Sequence, residues 1–365
     1  MHEGLMSDKT PLFLMAYCRP GFEKDCVKEL ESLYLDSWGL RAIGAIQPGW
    51  VRFEAPSEAS RLAEVRAKDL VFSRQVFVSS DIVQWKDGDD RVSPMVLGIS
   101  AVLKSFDCEL LYHQIMFEYP DTNDGKSLSR FAKKLEKPID NALKRDGFKK
   151  VYSRKDLPKL HFFLIDYNSG VAGVSFLNQS SKHPMGIPRL KVRDDAPSRS
   201  ALKLEEAFLT FLGHDQQRDC FTEGMYGVDL GAAPGGWSSE LVRRGVFVTA
   251  VDHAALDSKL LAGGMVDHAI ADAFKFRPKK KVDWLVCDIV EKPSRVVGLL
   301  LEWMKQDWFH RAVVNLKLPM KMRYEELQRL MKRLEIEGEK FGLTYIKAKH
   351  LYHDREEVTL FLVRR

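Results

Sequence analysis

The second half of the chain repeats one pattern, in which a short apolar segment ends at a charged side chain and an amphipathic stretch follows. Apolar segments that alternate with amphipathic stretches predict strands joined by helices, and hence an open parallel sheet. The ligand crevice of such a sheet lies at the carboxyl ends of its strands. A single aspartate there is usually a turn residue, but several in consecutive units indicate a site. The charged side chains are Asp229, Asp252, Asp272, Asp288 and Lys317.

The first half mixes short strand-like segments with amphipathic helices and shows no comparable set of site residues. Segments 161–165 and 171–176 alternate around a turn at 168–170 and predict a hairpin. We expect an α+β unit over residues 1–75 and a second unit over residues 76–180. Residues 181–197 hold three prolines and no periodicity, which indicates a linker. Residues 198–365 would then form the parallel-sheet domain.

The sharpest local signal is a glycine-rich turn, Tyr226-Gly-Val-Asp-Leu-Gly-Ala-Ala-Pro-Gly-Gly-Trp237. Glycine permits positive φ angles and close approach of the main chain to a ligand, and a helix starting near Trp237 would present free N–H groups to an anion. The spacing is not that of the G-x-G-x-x-G dinucleotide motif. The turn suits the carboxylate of S-adenosylmethionine. The alternative is an ordinary strand-to-helix turn, which has the same sequence pattern. Asp252 follows Gly231 by 21 residues, where nucleotide-binding folds hold a ribose diol.

Composition excludes several classes of protein. The chain has 365 residues, of which 45% are hydrophobic and 29% charged, as in a globular protein with a large core. No apolar run approaches the roughly 18 residues of a membrane span, so we expect no membrane segment. Five scattered cysteines without a C-x-x-C pair predict neither a disulfide framework nor a metal site. The first residues lack the basic and apolar regions of a signal peptide, and we expect a cytoplasmic protein.

Positive charge is concentrated between residues 126 and 159, which include twelve lysines or arginines and only four acidic residues. A helix that turned Phe131, Leu135, Ile139 and Leu143 inward would carry many of these cations on its outer face. Most charge runs are simply solvated helix faces. The threefold excess of cations nevertheless favours contact with the phosphates of a nucleic acid.

Several motifs of the second half together resemble the FtsJ-like ribose 2′-O-methyltransferases. They are Ser198-Arg199-x-x-x-Lys203-Leu204-x-Glu206, Asp229-Leu-Gly-x-x-Pro-Gly-Gly-Trp237, Asp288, Lys317 and Arg355-Glu356-Glu357-Val358. The resemblance implies a Rossmann-like domain that uses S-adenosylmethionine. It also implies a catalytic tetrad, with Lys317 as the general base that removes the proton of the ribose hydroxyl. The tetrad falls on Lys203, Asp288, Lys317 and Glu357, with Glu356 as an adjacent candidate.

The same resemblance implies a set of cofactor-binding residues. One of them departs from the family pattern, because alanine stands at position 233 where we expect cysteine, a change that a main-chain contact would tolerate. We also expect Lys317 to be partly buried near Lys203. The implied cofactor residues are Ser200, Ala233, Pro234, Gly235, Gly236, Asp252, Asp272 and Asp288.

Motifs in the first half of the chain indicate a narrower group within this family. Cys18-Arg-Pro-Gly-Phe-Glu-Lys24 looks like the ferredoxin-like entry unit of proteins with a THUMP domain, and Asp121-Thr-Asn-Asp-Gly-Lys126 looks like the THUMP core, an RNA-binding module. THUMP followed by this catalytic domain is similar to the RlmM type. That type methylates a cytidine ribose in bacterial 23S rRNA. We expect 23S rRNA as the partner, naked or in an early assembling ribosome, and a monomeric protein without metal.

Two other functions remain open at this point. A THUMP-bearing enzyme that methylates a base amine would carry an Asn/Asp-Pro-Pro-aromatic segment after the fourth strand. This chain has Asp288-Ile-Val-Glu-Lys-Pro293 there instead, which disfavours that alternative. A non-catalytic RNA-binding protein with a relict cofactor fold is the other alternative, and the full tetrad disfavours it.

Overall fold

The computed structural model describes residues 11–55 and 58–365, except for the side chains of residues 214–216. The chain divides into two compact units, Met1–Ile187 and Pro188–Arg365, so the division falls inside the predicted linker. Within the described residues, no helix combines the length and the apolar character that crossing a membrane requires.

The first unit is built on one mixed sheet flanked by helices. Its helices are α1 (Glu23–Trp38), α2 (Val92–Ser105), α3 (Asn123–Ser127) and α4 (Ser129–Arg145). Its strands are β1 (Phe13–Tyr17), β2 (Arg41–Gln47), β3 (Trp50–Glu54), β4 (Gln75–Ser79), β5 (Val83–Gln84), β6 (Leu111–Tyr112), β7 (Gln114–Glu118), β8 (Lys149–Lys150), β9 (Lys159–Leu164) and β10 (Ser169–Ser175).

The main sheet runs in the order β2-β3-β1-β4-β10-β9-β7, with β5 paired to β10 and a separate pair β6-β8. Strands β1, β4 and β10 are buried along their whole length, as expected of near-continuous apolar segments covered on both faces. The predicted boundary between residues 75 and 76 lies inside β4, which pairs with β1 on one side and β10 on the other. The strands of the two predicted units thus share one sheet, and their division into two domains stays a prediction.

Helix α4 carries the basic stretch. Its buried residues are Ala132, Leu135, Ile139, Ala142 and Leu143, so three of the four residues predicted to face inward are buried, and Phe131 is only half-buried. Spacing of three and four residues places side chains on one helix face. The exposed cations Arg130, Lys133, Lys134 and Lys137 follow this spacing and form what we call the α4 stripe.

The second unit is a doubly wound sheet with helices between its strands. Its helices are α5 (Ala201–Phe211), α6 (Gly213–Cys220), α7 (Gly236–Val242), α8 (Ser258–Ala262), α9 (Pro293–Lys305) and α10 (Arg323–Glu339). Its strands are β11 (Tyr226–Leu230), β12 (Phe247–Val251), β13 (Val266–Ala269), β14 (Val282–Cys287), β15 (Phe309–Lys317), β16 (Leu343–Lys349) and β17 (Glu357–Arg364).

The strand order is β13-β12-β11-β14-β15-β17-β16, and β17 alone runs opposite to the other six strands of this sheet. This order confirms the predicted Rossmann-like fold. The direction of winding reverses between β11 and β14, and ligands of such sheets bind outside the carboxyl ends of the strands at that point. These strands pack against an apolar core in which the ring of Trp284 contacts those of Phe208 and Phe361.

Three local predictions need correction. Strand β13 ends at Ala269, so Asp272 lies in the following turn rather than at the end of the strand. Ser169 and Gly170 belong to β10, and the hairpin turn lies before them. The start of the predicted linker is not loose, because Met185 and Ile187 are buried and the Met185 N–H donates to Glu118 at 2.6 Å.

Candidate active site

The glycine turn after β11 has a shape that only glycine can adopt. Gly231 and Gly235 have φ angles of +78° and +113°, which side chains rarely tolerate. A Cβ on Gly235 would lie 2.4 Å from Leu260 Cδ2, and one on Gly236 would lie 2.3 Å from Ser200 Oγ. A side chain at Gly235 would therefore displace Leu260 of α8, and one at Gly236 would displace the turn from the start of α5.

A cavity of about 390 Å³ lies beside this turn. It brings together Ser200, Ala233, Pro234 and Asp288 from the predicted cofactor set. Residues adjoining in sequence complete its wall, whereas Gly235, Gly236, Asp252 and Asp272 do not line it. The lining residues are Ser198, Arg199, Ser200, Gly231, Ala232, Ala233, Pro234, Trp237 and Asp288.

Asp252 is joined to the cavity wall through the main chain. The Ala233 N–H donates to its Oδ2 at 3.0 Å, and the Ala254 N–H donates to its Oδ1 at 2.9 Å. The side chain at position 233 takes no part in this bond, which fits alanine in place of the expected cysteine. Asp272 accepts the Phe274 N–H at 2.8 Å and so stabilises its own turn.

Lys203 on α5 is held between two carboxylates. Its Nζ lies 3.3 Å from Asp288 Oδ2 and 3.6 Å from Glu357 Oε1, and its side chain is only 16% exposed. Burial alone would lower the pKa of Lys203, but Asp288, Glu357 and Asp354 outweigh it, so that pKa is raised. Burial would likewise raise the pKa of Glu357, but Lys203 and the Arg355 N–H bring it below its usual value.

Lys317 and Glu357 are direct partners in the antiparallel ladder of β15 and β17. Lys317 is exposed, so the expected partial burial is wrong. It borders a second cavity of about 500 Å³, next to Val290, Lys292 and Pro319. The adjacent candidate Glu356 instead pairs with Arg323 at 2.6 Å, which leaves Glu357 as the carboxylate beside Lys203.

Several buried polar residues around this site were not predicted as site residues. Glu206 accepts the N–H groups of Tyr352 and His353 at 2.8 and 2.9 Å, and so ties α5 to the loop that leads into β17. Asn315 donates through Nδ2 to Asp288 Oδ1 at 2.9 Å, and Thr359 donates to Asn315 Oδ1 at 2.7 Å. Asn315 and Thr359 are each a polar residue inside an otherwise apolar strand, and this pattern is the signal by which the sequence could have indicated them.

Asp229 lies buried beneath the glycine turn. Its Oδ2 accepts the Ser238 hydroxyl at 2.7 Å, while its Oδ1 has no hydrogen-bond partner in the described part of the chain. Burial raises the pKa of Asp229 to about 7, against the opposing effect of Ser238 and with a further contribution from Asp288. The described residues include no cluster of His, Cys, Asp and Glu that could hold a metal ion.

Three family models match successive parts of the chain. The RlmM ferredoxin-like domain matches residues 12–77, and the N-terminal domain of ribosomal RNA large subunit methyltransferase M matches residues 90–176. The FtsJ-like methyltransferase matches residues 196–314, a range that includes Lys203 and Asp288 but ends before Lys317 and Glu357.

Full-length relatives agree with these matches. The chain is 44% identical to ribosomal RNA large subunit methyltransferase M of Pasteurella multocida (strain Pm70), over 96% of this chain and 98% of the relative. It is 42% identical to the proteins of that name from Haemophilus influenzae (strain PittGG) and Mannheimia succiniciproducens, with the same coverage. The chain therefore belongs to the ribosomal RNA large subunit methyltransferase M family.

Proposed function

We propose that this protein transfers a methyl group from S-adenosylmethionine to the 2′-oxygen of a cytidine ribose in 23S rRNA. One observation carries the chemistry. Lys203 is clamped between Asp288 and Glu357 at the carboxyl edge of the sheet, and Asp288 also lines the cavity at the glycine turn. A cofactor cavity and a charged reaction centre therefore share one carboxylate. Relatives named for methylation of large-subunit ribosomal RNA supply the substrate class.

The residues around the cavity fit S-adenosylmethionine. When bound, this cofactor supplies a methyl group on a positively charged sulfur. Ser200, Ala233, Pro234 and the close-packed Gly235 and Gly236 would hold its amino-acid end near the turn. The carboxylates of Asp252 and Asp272 offer acceptors for its ribose hydroxyls and its adenine amine, and Asp288 would lie between cofactor and substrate. Each carboxylate oxygen of Asp252 accepts one N–H group and has a second lone pair, which is available to a hydroxyl of the cofactor.

The two lysines support different roles in the reaction. A 2′-hydroxyl must lose its proton as its oxygen bonds to the methyl carbon and the bond from that carbon to sulfur breaks. A lysine can accept this proton only as a neutral amine. Since the raised pKa of Lys203 favours its charged form, Lys203 is poorly suited to accept that proton. Lys203 instead suits stabilisation of negative charge on the reacting oxygen. Lys317, at the end of β15 opposite Glu357, is the lysine that remains for the role of general base.

The first unit supports capture of the RNA. Its α4 stripe carries four exposed cations that have no ion-pair partner among the described residues. We propose that residues 76–180 act as a THUMP-like RNA-binding domain behind the ferredoxin-like unit. The substrate would be 23S rRNA in the cytoplasm, naked or in an early assembling ribosome, with the protein acting as a monomer. Light scattering coupled to gel filtration measures the last point.

The position of the methyl group tests the proposal. Alkaline cleavage of RNA needs a free 2′-hydroxyl, so a 2′-O-methyl group protects one bond. Unmodified 23S rRNA incubated with the protein and S-adenosylmethionine should show one protected position. Lys317→Ala should abolish protection and leave cofactor binding intact, since it removes proton transfer rather than a binding contact. Lys321→Ala, an exposed lysine in the next loop, is the matched control.

Other outcomes would separate the competing functions. Methylated RNA that still cleaves at every position would place the methyl group on a base. RNA that is bound but never methylated would favour a non-catalytic RNA-binding protein. Protection at full rate in Lys317→Ala would keep the reaction and remove Lys317 as its base.

A further inference from the structure

A loop of the first unit, residues 151–158 between β8 and β9, presents the most exposed aromatic side chain in the described part of the chain. Tyr152 is 77% exposed, whereas the next, Tyr167, is 51% exposed. Both ends of the loop are fixed by main-chain bonds. The Val151 N–H donates to the Tyr112 carbonyl at 2.8 Å, and the His113 N–H donates to the Pro158 carbonyl at 3.1 Å. The loop is anchored at both ends, and it holds the ring in solvent.

The surroundings of Tyr152 are positively charged. The ammonium of Lys150 lies 4.6 Å from the ring centroid, within the range of a cation–π contact. Lys149, Lys150 and Lys155 are exposed and have no ion-pair partner among the described residues. Arg154 is the exception in this loop, because Asp156 pairs with it at 2.5 Å. An exposed ring among unneutralised cations complements a ligand that has both a flat aromatic face and negative charge.

We propose that Tyr152 is a stacking platform for an unpaired RNA base, with Lys149, Lys150 and Lys155 contacting the flanking phosphates. The inference rests on the proposed RNA substrate and specifies one place where the first unit contacts it. Every nucleobase offers a π face, so stacking tolerates any sequence. Bases inside a helix are already stacked on both sides. The platform therefore selects single-stranded segments, loops or bulges.

Binding of two RNA probes by the full chain tests this inference without any methyl transfer. One probe is a single-stranded oligonucleotide that contains 2-aminopurine, and the other is a perfect duplex of the same sequence. Tyr152→Ala should weaken single-strand binding by roughly fivefold or more and reduce quenching of 2-aminopurine. Duplex binding should stay unchanged. The slope of log affinity against log salt should also stay unchanged, since no charge is lost.

Two control variants sharpen the test. Tyr152→Trp should bind at least as well as the parent, because a larger ring stacks as effectively. Leu97→Ala, at a 64% exposed apolar position on α2, should change nothing. Unchanged single-strand affinity in Tyr152→Ala, or an equal loss on the duplex, would overturn the inference. If the parent bound both probes as expected but never methylated rRNA, the proposed function would fail and the platform would stand.

A second inference comes from a different observation, the chain of buried hydrogen bonds behind Asp288. Asn315 donates to Asp288, Thr359 bonds to Asn315, and Thr359 Oγ1 also lies 2.9 Å from Asp354 Oδ2. Asn315, Thr359 and Asp354 are at most 1% exposed. Bulk water therefore does not reach these three residues.

The amide of Asn315 fixes the direction of its own two bonds. Because the Asn315 amide donates to the carboxylate of Asp288, its oxygen faces Thr359 and must accept. The single hydroxyl proton of Thr359 then goes to Asn315. Thr359 Oγ1 is also within hydrogen-bond distance of Asp354 Oδ2, which accepts the Leu351 N–H at 3.0 Å. Burial and the nearby Glu206 raise the pKa of Asp354 well above its usual value, against the opposing effects of the Leu351 N–H, Lys203 and Thr359.

We infer that Asn315 and Thr359 are positioning residues, which hold Asp288 in the orientation that meets Lys203. This inference also rests on the proposed function. Thr359→Val keeps the shape of the side chain and removes the hydroxyl. It should lower kcat roughly ten- to hundredfold, because small misplacements of a reacting group are costly. KM for RNA should stay unchanged, and Thr359→Ser should restore the rate.

Thr344→Val is the matched control, since the Thr344 hydroxyl on β16 donates to the Val363 carbonyl outside this chain of bonds. Parental kcat in Thr359→Val would overturn the inference. So would a loss of rate that Thr359→Ser fails to restore, because that result would indicate packing rather than hydrogen bonding. A parent without methyltransferase activity would instead refute the proposed function, which the alkaline cleavage assay detects first.

Discussion

The positive charge of Lys203 is largely buried and paired with carboxylates, whereas the positive charges of the α4 stripe are exposed and, in the described part of the chain, unpaired. Lys203 is 16% exposed and lies within 3.6 Å of two carboxylates, each fixed by the protein. The four cations of the stripe are exposed and meet no carboxylate among the described residues. Buried charges interact strongly and keep their geometry, whereas exposed charges are screened by salt within about 10 Å. The first arrangement suits chemistry on one atom, and the second suits attraction of a polyanion.

Removal of Lys203 should give the largest effect. Lys203→Ala takes the shared cation away from Asp288 and Glu357, which would then repel each other and the developing oxyanion. We expect the single-turnover rate of methyl transfer to fall roughly a hundredfold or more. Lys133→Ala on the stripe should keep the parental rate at saturating RNA. Equal single-turnover rates for the two variants would refute the contrast between the regions.

The buried acid of the site should make stability depend on pH. The pKa of Asp229 is about 7 in the folded protein, above the value of about 3.9 in an unfolded chain. Between these values the folded state holds a proton that the unfolded state has released, so stability falls as pH rises. Each pKa unit corresponds to about 1.4 kcal/mol, so the loss amounts to a few kcal/mol by pH 8.

Asp229→Asn cannot release this proton and should remove that part of the pH dependence. Denaturant unfolding at pH 5 and pH 8 measures it as a difference between the parent and the variant. The advantage of the variant should grow with pH. A difference that is the same at both pH values would mean that Asp229 is ionised throughout.

Cofactor affinity should depend on Asp252 to a smaller extent. A hydrogen bond to a charged group contributes roughly 1.5–3 kcal/mol, so Asp252→Ala should weaken S-adenosylmethionine binding by about tenfold or more. Isothermal titration calorimetry measures this change. Asp267→Ala, at an exposed position on β13, should bind the cofactor as the parent does. Unchanged affinity in Asp252→Ala would remove Asp252 from the cofactor site.

A single stripe cation should give the smallest effect. Lys134→Gln should lower the slope of log RNA affinity against log salt by about 0.7–0.9, the contribution of one phosphate contact. Lys144→Gln on the same helix is the comparison, because Asp140 already pairs with Lys144 at 2.6 Å. Its slope should change less. Equal changes for the two variants would mean that the stripe is an ordinary solvated surface.

Much of the catalytic unit could be predicted from local sequence. Strand β12 ends at Val251, directly before Asp252, and β11 ends at Leu230, one residue past Asp229, as expected of apolar segments that end at charged side chains. The glycine turn was predictable because the positive φ angles of Gly231 and Gly235 strongly favour glycine. The resemblance to a family assigned Lys203, Asp288 and Glu357 to one tetrad. The structure pairs Lys203 with both carboxylates, and their catalytic roles stay a prediction.

Other features were decided by the tertiary structure alone. Glu206 bonds to His353 across 147 residues, and Thr359 bonds to Asn315 across 44. The insertion of β17 between β15 and β16 places Glu357 opposite Lys317, and β4 joins the two halves of the first sheet. Local patterns specify strands and turns because backbone preferences and burial act over a few residues. Partners distant in the chain are chosen only when the whole core has packed, since a buried polar group is stable only beside the group that satisfies it.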